Sequence, residues 1–150
     1  MKILIQRVSH ASIEVEHTMH AQIKSGLLIF LGIEKDDDSS DVDYLVGKSA
    51  ALRIFNDPDG KMNLSIQDVG GEALIVSQFT LHASTKKGNR PSYVKAARPE
   101  HAIPLYEYFI QKMNLELPEK VKSGVFGADM KIQLLNDGPV TIMIDSKNKE

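Results

Sequence analysis

The chain has 150 residues, with 18 lysines and arginines against 20 aspartates and glutamates and a formal net charge of −2. This total charge gives no reason to expect a nucleic-acid binder or a membrane-surface protein. The absence of cysteine excludes disulfides, thiolate catalysis and cysteine-based zinc sites, and it suits a reducing cytoplasm. No apolar run approaches the ~20 residues of a membrane-spanning helix. We expect one globular domain over residues 1–150.

Strand patterns fill the first part of the chain. Residues 3–15 alternate apolar and polar side chains and predict one long strand or two, and Met19–Ile23 predicts the next strand. Leu27–Ile33 is a continuous apolar run, which predicts a central strand buried on both faces. Gly32 within that run indicates a bulge or a close approach of another backbone.

An acid-rich segment, residues 34–41, follows these strands. A cation site is one interpretation, but the segment lacks the glycine and the distant glutamate of an EF-hand loop. We interpret it as a loop leading into a helix N-terminus, where the helix dipole favours carboxylates. Ser40 or Asp41 would cap this helix, which apolar residues at helical spacing extend to about Arg53.

The stretch Glu72–Leu81 combines a buried strand with polar side chains at its end. Such a strand end is where an open sheet often presents a binding site. The alternative is that these are satisfied polar groups at an ordinary strand end. If the strand continues to Leu81, alternation gives two faces, with Ser77, Phe79 and Leu81 on one and Gln78 and Thr80 on the other.

Residues 82–99 contain five cations and no acid, and are called the basic segment below. Serines, a glycine and a proline within it predict a mobile loop. Two interpretations remain open, a solvated loop and an arm that contacts the phosphates of a polyanion. The five cations are Lys86, Lys87, Arg90, Lys95 and Arg98.

The C-terminal third predicts a second helix and the closing strands. Glu100–Leu115 has apolar residues at helical spacing. Strands are predicted at 121–126, 130–134 and 140–144, with Asn136–Pro139 as a hairpin turn before the last one. About eight short strands and two helices at uneven spacing predict an α/β (mixed α+β) fold. We expect a mostly antiparallel sheet curled into a partly closed barrel, with two main helices packed on it.

Two motifs together resemble those of a known family. Ser77-Gln-Phe-Thr-Leu81 and Asn136-Asp-Gly-Pro-Val-Thr141, in a chain of this length, are similar to the site motifs of the D-aminoacyl-tRNA deacylases (the D-tyrosyl-tRNA deacylase family). These enzymes free tRNA from D-amino acids, and the resemblance runs the length of the chain. Further matching segments are Gln6–Val8, Gly26–Gly32, Leu52–Phe55, Gly60–Asn63, Gly88–Ser92 and Gly124–Met130.

The resemblance implies a cytoplasmic enzyme that hydrolyses the ester bond of D-aminoacyl-tRNA, and of glycyl-tRNA, with no metal and no cofactor. Gln78, Phe79 and Thr80 would be the catalytic residues, and Ser77 would line the pocket for the aminoacyl-adenosine end with them. No side chain would act as an essential nucleophile. The 2′-hydroxyl of the terminal ribose would assist the attack of water.

The resemblance also implies a homodimer with a chiral filter. Gly138 and Pro139, joined by a cis peptide bond, would reach into the partner subunit's pocket and exclude L-amino acids by steric clash. Arg7 would bind substrate indirectly by holding this motif in place.

The residues themselves leave two other functions open. A non-catalytic tRNA- or RNA-binding protein would use the basic segment for affinity. Lys86, Lys87 and Arg90 would contact the tRNA both in such a protein and in a deacylase. A Thr80–His82 pair on one side of an extended strand would instead suit a hydrolase of small esters. The remaining clustered histidines lack zinc-ligand context and are expected at the surface: His10, His17 and His20.

Overall fold

The computed structural model describes residues 1–150 and contains eight β-strands, two α-helices and one short 3-10 helix. No helix in it is both long enough and apolar enough to cross a membrane. The helices are α1 (Ser39–Ala51), α2 (Pro99–Glu116) and the 3-10 helix (Phe79–His82). The strands are β1 (Lys2–Val15), β2 (Thr18–Ile23), β3 (Gly26–Gly32), β4 (Phe55–Asn56), β5 (Met62–Leu64), β6 (Glu72–Ser77), β7 (Val121–Ser123) and β8 (Met130–Asp145).

Six strands form one main sheet that is organised around β1. This strand pairs antiparallel with β2 and β3 along one edge and with β8 along the other. β6 lies parallel to both β3 and β7, while β4 and β5 form a separate two-stranded ladder. The prediction of a mixed α/β fold with two helices and a nearly closed, barrel-like sheet is confirmed.

The two faces of the sheet bury two separate cores. The helices cover one face, where residues such as Ile5, Ile29 and Phe109 belong to a core of 20 buried residues. On the other face, β2 and the outer parts of β1 and β8 enclose a smaller core of 7 buried residues, among them Val8 and Leu74. Because β3 contributes to both cores, the prediction of a central strand buried on both faces is confirmed.

The end of β6 differs from the predicted strand. β6 ends at Ser77, and residues 79–82 form the 3-10 helix instead of the extended chain predicted to reach Leu81. The predicted alternation of side chains beyond Ser77 is therefore wrong, because a 3-10 helix turns every three residues. Polar side chains that bond locally favour such turns over a ladder, and Gln78 Nε2 donates to Thr80 Oγ1 at 2.6 Å.

The predicted hairpin near the C-terminus is also wrong. The last two predicted strands are one continuous strand, β8, because β1 supplies a partner to both of them and they do not pair with each other. Gln6 pairs with Thr141 whereas Val8 pairs with Asn136, so residues 137–140 bulge out of the ladder. The Asp-Gly pair lies in this 137–140 bulge.

The acid-rich segment forms the start of α1, but the capping residue is Asp38 and not Ser40 or Asp41. The Asp38 carboxylate accepts a hydrogen bond from the Ser40 backbone N–H at 2.8 Å, and Asp41 accepts one from the Asp38 N–H at 2.9 Å. This reciprocal pair is a capping box. Acidic side chains therefore accept hydrogen bonds from the backbone N–H groups of Asp38 and Ser40 at the start of the helix.

Candidate functional site

A mostly apolar cleft, called the main cleft below, lies at the carboxyl ends of the parallel strands β3 and β6, where open sheets usually bind ligands. It has a volume of about 320 Å³ and is lined mostly by hydrophobic residues. Ser77, Gln78 and Phe79 line one wall. Asp129 is the single charged residue of the lining, and it forms an ion pair with Lys131 at 2.9 Å. The cleft suits an apolar group that is fixed by a few polar contacts.

Gly32, at the end of β3, allows the 3-10 helix to pack close to the sheet. A Cβ on Gly32 would lie 2.9 Å from the backbone oxygen of Gln78 and 2.9 Å from Leu81 Cβ. The Gln78 N–H donates to the Leu31 carbonyl at 2.8 Å, which fixes the same wall from its other side. The predicted close backbone approach at Gly32 is confirmed.

The structure does not form the Thr80–His82 pair that a small-ester hydrolase would need. Thr80 Oγ1 accepts the hydrogen bond from Gln78, while His82 is 4% exposed and its Nε2 has no partner. The two residues lie in a 3-10 helix, so they do not share a side as they would in a strand. No nucleophile and base are therefore joined at this site.

The opposite wall of the cleft consists of residues 126–130, to which sequence reasoning assigned no role. Phe126 packs on Tyr106 of α2, with ring centroids 5.7 Å apart. The Tyr106 hydroxyl donates to the Ile75 carbonyl of β6 at 3.2 Å, and so α2 connects the two walls. Burial raises the pKa of Tyr106 to about 12, which keeps this donor protonated. The sequence offers one signal for this wall, Gly127, which interrupts a strand-like pattern. In the structure Gly127 has a φ of +78°.

The second motif forms the 137–140 bulge on β8. The Gly138–Pro139 peptide bond is cis, and Gly138 has a φ of +137°, a conformation that favours glycine. Arg7 Nε donates to the backbone oxygen of Asp137 at 2.9 Å. The structure thus brings Arg7, Gly138 and Pro139 together, but none of them lines the main cleft of its own chain.

Asn136 fixes both ends of the bulge, a role that sequence reasoning missed. Its Nδ2 donates to the backbone oxygens of Arg7 and Val140, each at 3.0 Å. Arg7 is only 7% exposed, and its Nη1 donates to the Ile54 carbonyl. The bulge is therefore held against β1 although it lies outside the ladder.

The basic segment forms a closed loop that returns to the main cleft. Ser84 and Ser92 exchange backbone hydrogen bonds of 2.8 and 2.9 Å, which close the loop at its base. Further along, the Ala97 N–H donates to the Ile33 carbonyl at 2.9 Å, and both residues line the cleft. All five cations of the segment are exposed, and Lys86, Lys87 and Arg90 lie in its closed part, between Ser84 and Ser92.

The three clustered histidines are exposed, as predicted. No group of three or more His, Asp or Glu side chains is placed to hold a metal ion.

Comparison with known proteins identifies the family. Residues 4–145 match the family model described as D-Tyr-tRNA(Tyr) deacylase. The chain belongs to this family. Proteins named D-aminoacyl-tRNA deacylase from Flavobacterium johnsoniae and Christiangramia forsetii are 57% and 61% identical to it, over 100% and 99% of both chains. The resemblance inferred from the two motifs is confirmed, and the protein is an ester hydrolase of the deacylase family.

Solved structures show the same deacylase fold. A structure described as the c-Myc DNA Unwinding Element Binding Protein is 38% identical, with a TM-score of 0.92 over 97% of this chain and 98% of that one. A probable eukaryotic D-amino acid tRNA deacylase is 17% identical, with a TM-score of 0.81 over 95% and 97% of the two chains. At that identity the second likeness concerns the fold alone.

Proposed function

We propose that the protein hydrolyses the ester bond of D-aminoacyl-tRNA in the cytoplasm, releasing the free D-amino acid and tRNA. The observation that carries this proposal is the main cleft, which combines an apolar lining with Ser77 and Gln78 at the carboxyl ends of β3 and β6. The aminoacyl-adenosine end of the tRNA enters this cleft. Gln78, Phe79 and Thr80 lie against the ester, while Lys86, Lys87 and Arg90 contact the tRNA backbone.

Water, and not a protein nucleophile, attacks the ester. Support comes from the lining of the cleft, in which neither the Ser77 hydroxyl nor the nearby Thr80 hydroxyl is joined to a base, and Asp129 is already paired. We infer that the 2′-hydroxyl of the terminal ribose assists the water. The backbone N–H groups of Phe79 and Thr80, which the 3-10 helix itself leaves without partners, stabilise the developing oxyanion.

Gly138 and Pro139 of a second copy close the cleft and reject L-amino acids. The support is that the 137–140 bulge is firmly held by Arg7 and Asn136 yet does not line the cleft of its own chain. A rigid backbone wall excludes the substrate's Cβ from one side of the chiral centre far better than a flexible side-chain pocket does. Because the filter works by rejection, glycine passes it, and glycyl-tRNA is a second substrate.

The surface for this second copy is the outer edge of β8. This strand pairs with β1 and with no other strand, so one of its edges has no partner. Leu135 and Met143, on the two sides of the bulge, are 54% and 56% exposed. A long unpaired edge with exposed apolar side chains is normally covered. A two-fold homodimer covers the same patch on both copies.

Single-turnover hydrolysis of D-Tyr-tRNA and L-Tyr-tRNA, at one fixed salt concentration, tests the proposal. We expect rapid loss of the D ester while the L ester survives. Equal hydrolysis of both esters would contradict the proposed chiral filter. Hydrolysis of neither would favour the second candidate, a tRNA-binding protein without turnover, for which the exposed cations of the basic segment are the one supporting observation.

The variant Gln78→Ala separates these two candidates. It should lower the single-turnover rate with little loss of tRNA binding if the cleft is catalytic. The control is Gln111→Ala, since Gln111 is exposed on α2 and does not line the cleft. An unchanged rate in Gln78→Ala would contradict the proposed role of the cleft.

A further inference from the structure

An aromatic pair stands at the mouth of the main cleft. Phe79 and Tyr93 are arranged edge to face, with ring centroids 5.1 Å apart and ring planes at 76°. They are 56% and 39% exposed. An edge-to-face pair uses only one ring face for its own contact. The pair therefore offers flat apolar surface to a ligand at the place where the cleft opens.

The position of Tyr93 is fixed by the backbone on both sides. It follows Ser92, which closes the basic loop on Ser84. The Tyr93 carbonyl accepts a hydrogen bond from the Ala96 N–H at 3.0 Å, and Ala97 is bonded to Ile33, the residue after β3. The ring is thus carried by an anchored piece of chain and not by the free tip of the loop.

The chain on both sides of Tyr93 carries positive charge. Lys86, Lys87 and Arg90 are exposed on the loop that ends at Tyr93, and residues 82–99 contain no acid. Exposed aromatic rings beside a run of cations are the combination with which proteins bind single-stranded nucleic acid, since bases stack on the rings while cations follow the phosphates.

The size of the cleft decides which part of the substrate meets the pair. At about 320 Å³ the cleft is near the lower limit of ligand pockets, ~300–1,000 Å³. It holds at most the aminoacylated terminal nucleoside. The nucleotide before it must therefore lie at the mouth, beside Phe79 and Tyr93.

We propose that Phe79 and Tyr93 form a stacking platform for the base that precedes the terminal adenosine of the tRNA. Tyr93 is a substrate-positioning residue in this arrangement, because it touches the nucleotide next to the reacting one. The inference rests on the proposed function and adds to it a contact with the unpaired 3′ end.

The test combines removal of the base with removal of the ring. Two D-Tyr-tRNA substrates are prepared by ligating a chemically acylated dinucleotide to a truncated tRNA, one intact and one abasic at the penultimate position. With wild-type protein we expect kcat/KM to fall about tenfold when the base is absent, the usual scale for loss of one base–aromatic stack. With Tyr93→Ala, loss of the base should cost much less than in wild type, because only Phe79 is left to stack on it. Tyr93→Phe should restore the penalty.

Two controls keep the result interpretable. Tyr44→Ala removes a tyrosine on α1 that does not line the cleft and should leave the abasic penalty at its wild-type value. Tyr93→Leu keeps apolar bulk without a ring and should behave like Tyr93→Ala, which separates stacking from simple packing against Phe79.

Three outcomes would overturn the inference. The abasic substrate could react as fast as the intact one. The penalties of base removal and Tyr93→Ala could multiply, which would make Tyr93 a structural support for Phe79. Tyr93→Leu could keep the full penalty. Failure of wild-type protein to hydrolyse the intact D ester would instead count against the proposed function, so the two failures are distinguishable.

Discussion

Two glycines, Gly32 and Gly138, hold parts of the site in place because a Cβ on either would collide with a neighbour. At Gly32 the neighbours are the backbone of Gln78 and the side chain of Leu81, so the contact sets the position of the cleft wall. At Gly138 the neighbour is Arg7, the residue that anchors the bulge. Both glycines thus control the placement of groups that the proposed mechanism uses, although neither has a side chain.

The variant Gly138→Ala tests the chiral filter at this scale. Its Cβ would lie 2.7 Å from Arg7 Nη2, so either Arg7 or the bulge must move. We expect the ratio of single-turnover rates for D-Tyr-tRNA and L-Tyr-tRNA to fall at least tenfold, since misplacement by about 1 Å has effects of this order or larger. Gly60→Ala is the matched control, because Gly60 also has a positive φ but a Cβ there would have no neighbouring atom within 4 Å. An unchanged ratio in Gly138→Ala would contradict the filter.

The variant Gly32→Ala tests the cleft wall. Displacement of the Gln78 backbone should lower the single-turnover rate on D-Tyr-tRNA at least tenfold, while circular dichroism shows a folded protein. Gly47→Ala is the control, since Gly47 lies in α1 with open space where a Cβ would stand. That change should leave the rate alone and stabilise the fold by about 0.5–1 kcal/mol, the helix preference of alanine over glycine. A normal rate in Gly32→Ala would show that the wall tolerates movement.

At the scale of secondary structure, the sequence predicted where buried strands lie better than where they end. β3 and the apolar part of β6 followed from uninterrupted runs of apolar residues, which burial on two faces requires. The 3-10 helix did not follow, because local hydrogen bonds such as the one from Gln78 to Thr80 compete with strand pairing in a way that alternation does not reveal. The single strand β8 was missed because its continuity depends on pairing with the distant β1.

The start of α1 depends on a carboxylate whose ionisation is coupled to folding. Burial alone would raise the pKa of Asp41, but the hydrogen bonds from Ser146 and from the Asp38 N–H, with the positive charges of the Met1 amino group and Lys147, hold it below its ordinary value of 3.8. A carboxylate whose pKa is lower in the folded than in the unfolded protein stabilises the folded state at pH values above the pKa of the unfolded form. This contribution is lost as the pH falls through the folded pKa.

Ser146→Ala should therefore lower the free energy of unfolding near neutral pH, by about 1–3 kcal/mol, because it removes the 2.6 Å hydrogen bond to the Asp41 carboxylate. The difference from wild type should shrink as the pH falls below 3.8, the ordinary pKa of the carboxyl, since wild type then loses the same contribution. Urea unfolding at a series of pH values measures both effects. Ser39→Ala, an exposed change in the same helix, is the control. A difference that is constant with pH would show that Ser146 acts independently of Asp41.

At the scale of the whole molecule, the two site motifs could be found from the sequence but their relation could not. Ser77 and its neighbours lie at the cleft, whereas Gly138 lies in a bulge that does not line that cleft. Periodicity describes each segment separately, so it gives no information on whether two motifs lie close together in the folded chain. This separation is the reason to expect that the complete site contains two copies of the chain.

Mixing two variant chains tests that expectation. Gly138→Ala has an intact cleft and a damaged filter, and on its own it should hydrolyse both D-Tyr-tRNA and L-Tyr-tRNA. Gln78→Ala has a damaged cleft and an intact filter. When Gln78→Ala is added in excess and subunits exchange, each intact cleft receives an intact bulge from its partner. Hydrolysis of the L ester should then disappear while hydrolysis of the D ester persists.

The matched control is an excess of the chain that carries both substitutions, which forms the same mixed dimers but supplies no intact bulge. It should leave hydrolysis of the L ester unchanged. If the bulge acted on the cleft of its own chain, neither addition would restore selectivity, because every intact cleft would keep its own damaged filter. If selectivity returns with Gln78→Ala but not with the double variant, the filter belongs to the partner subunit. This conclusion does not depend on the path by which the bulge reaches the cleft.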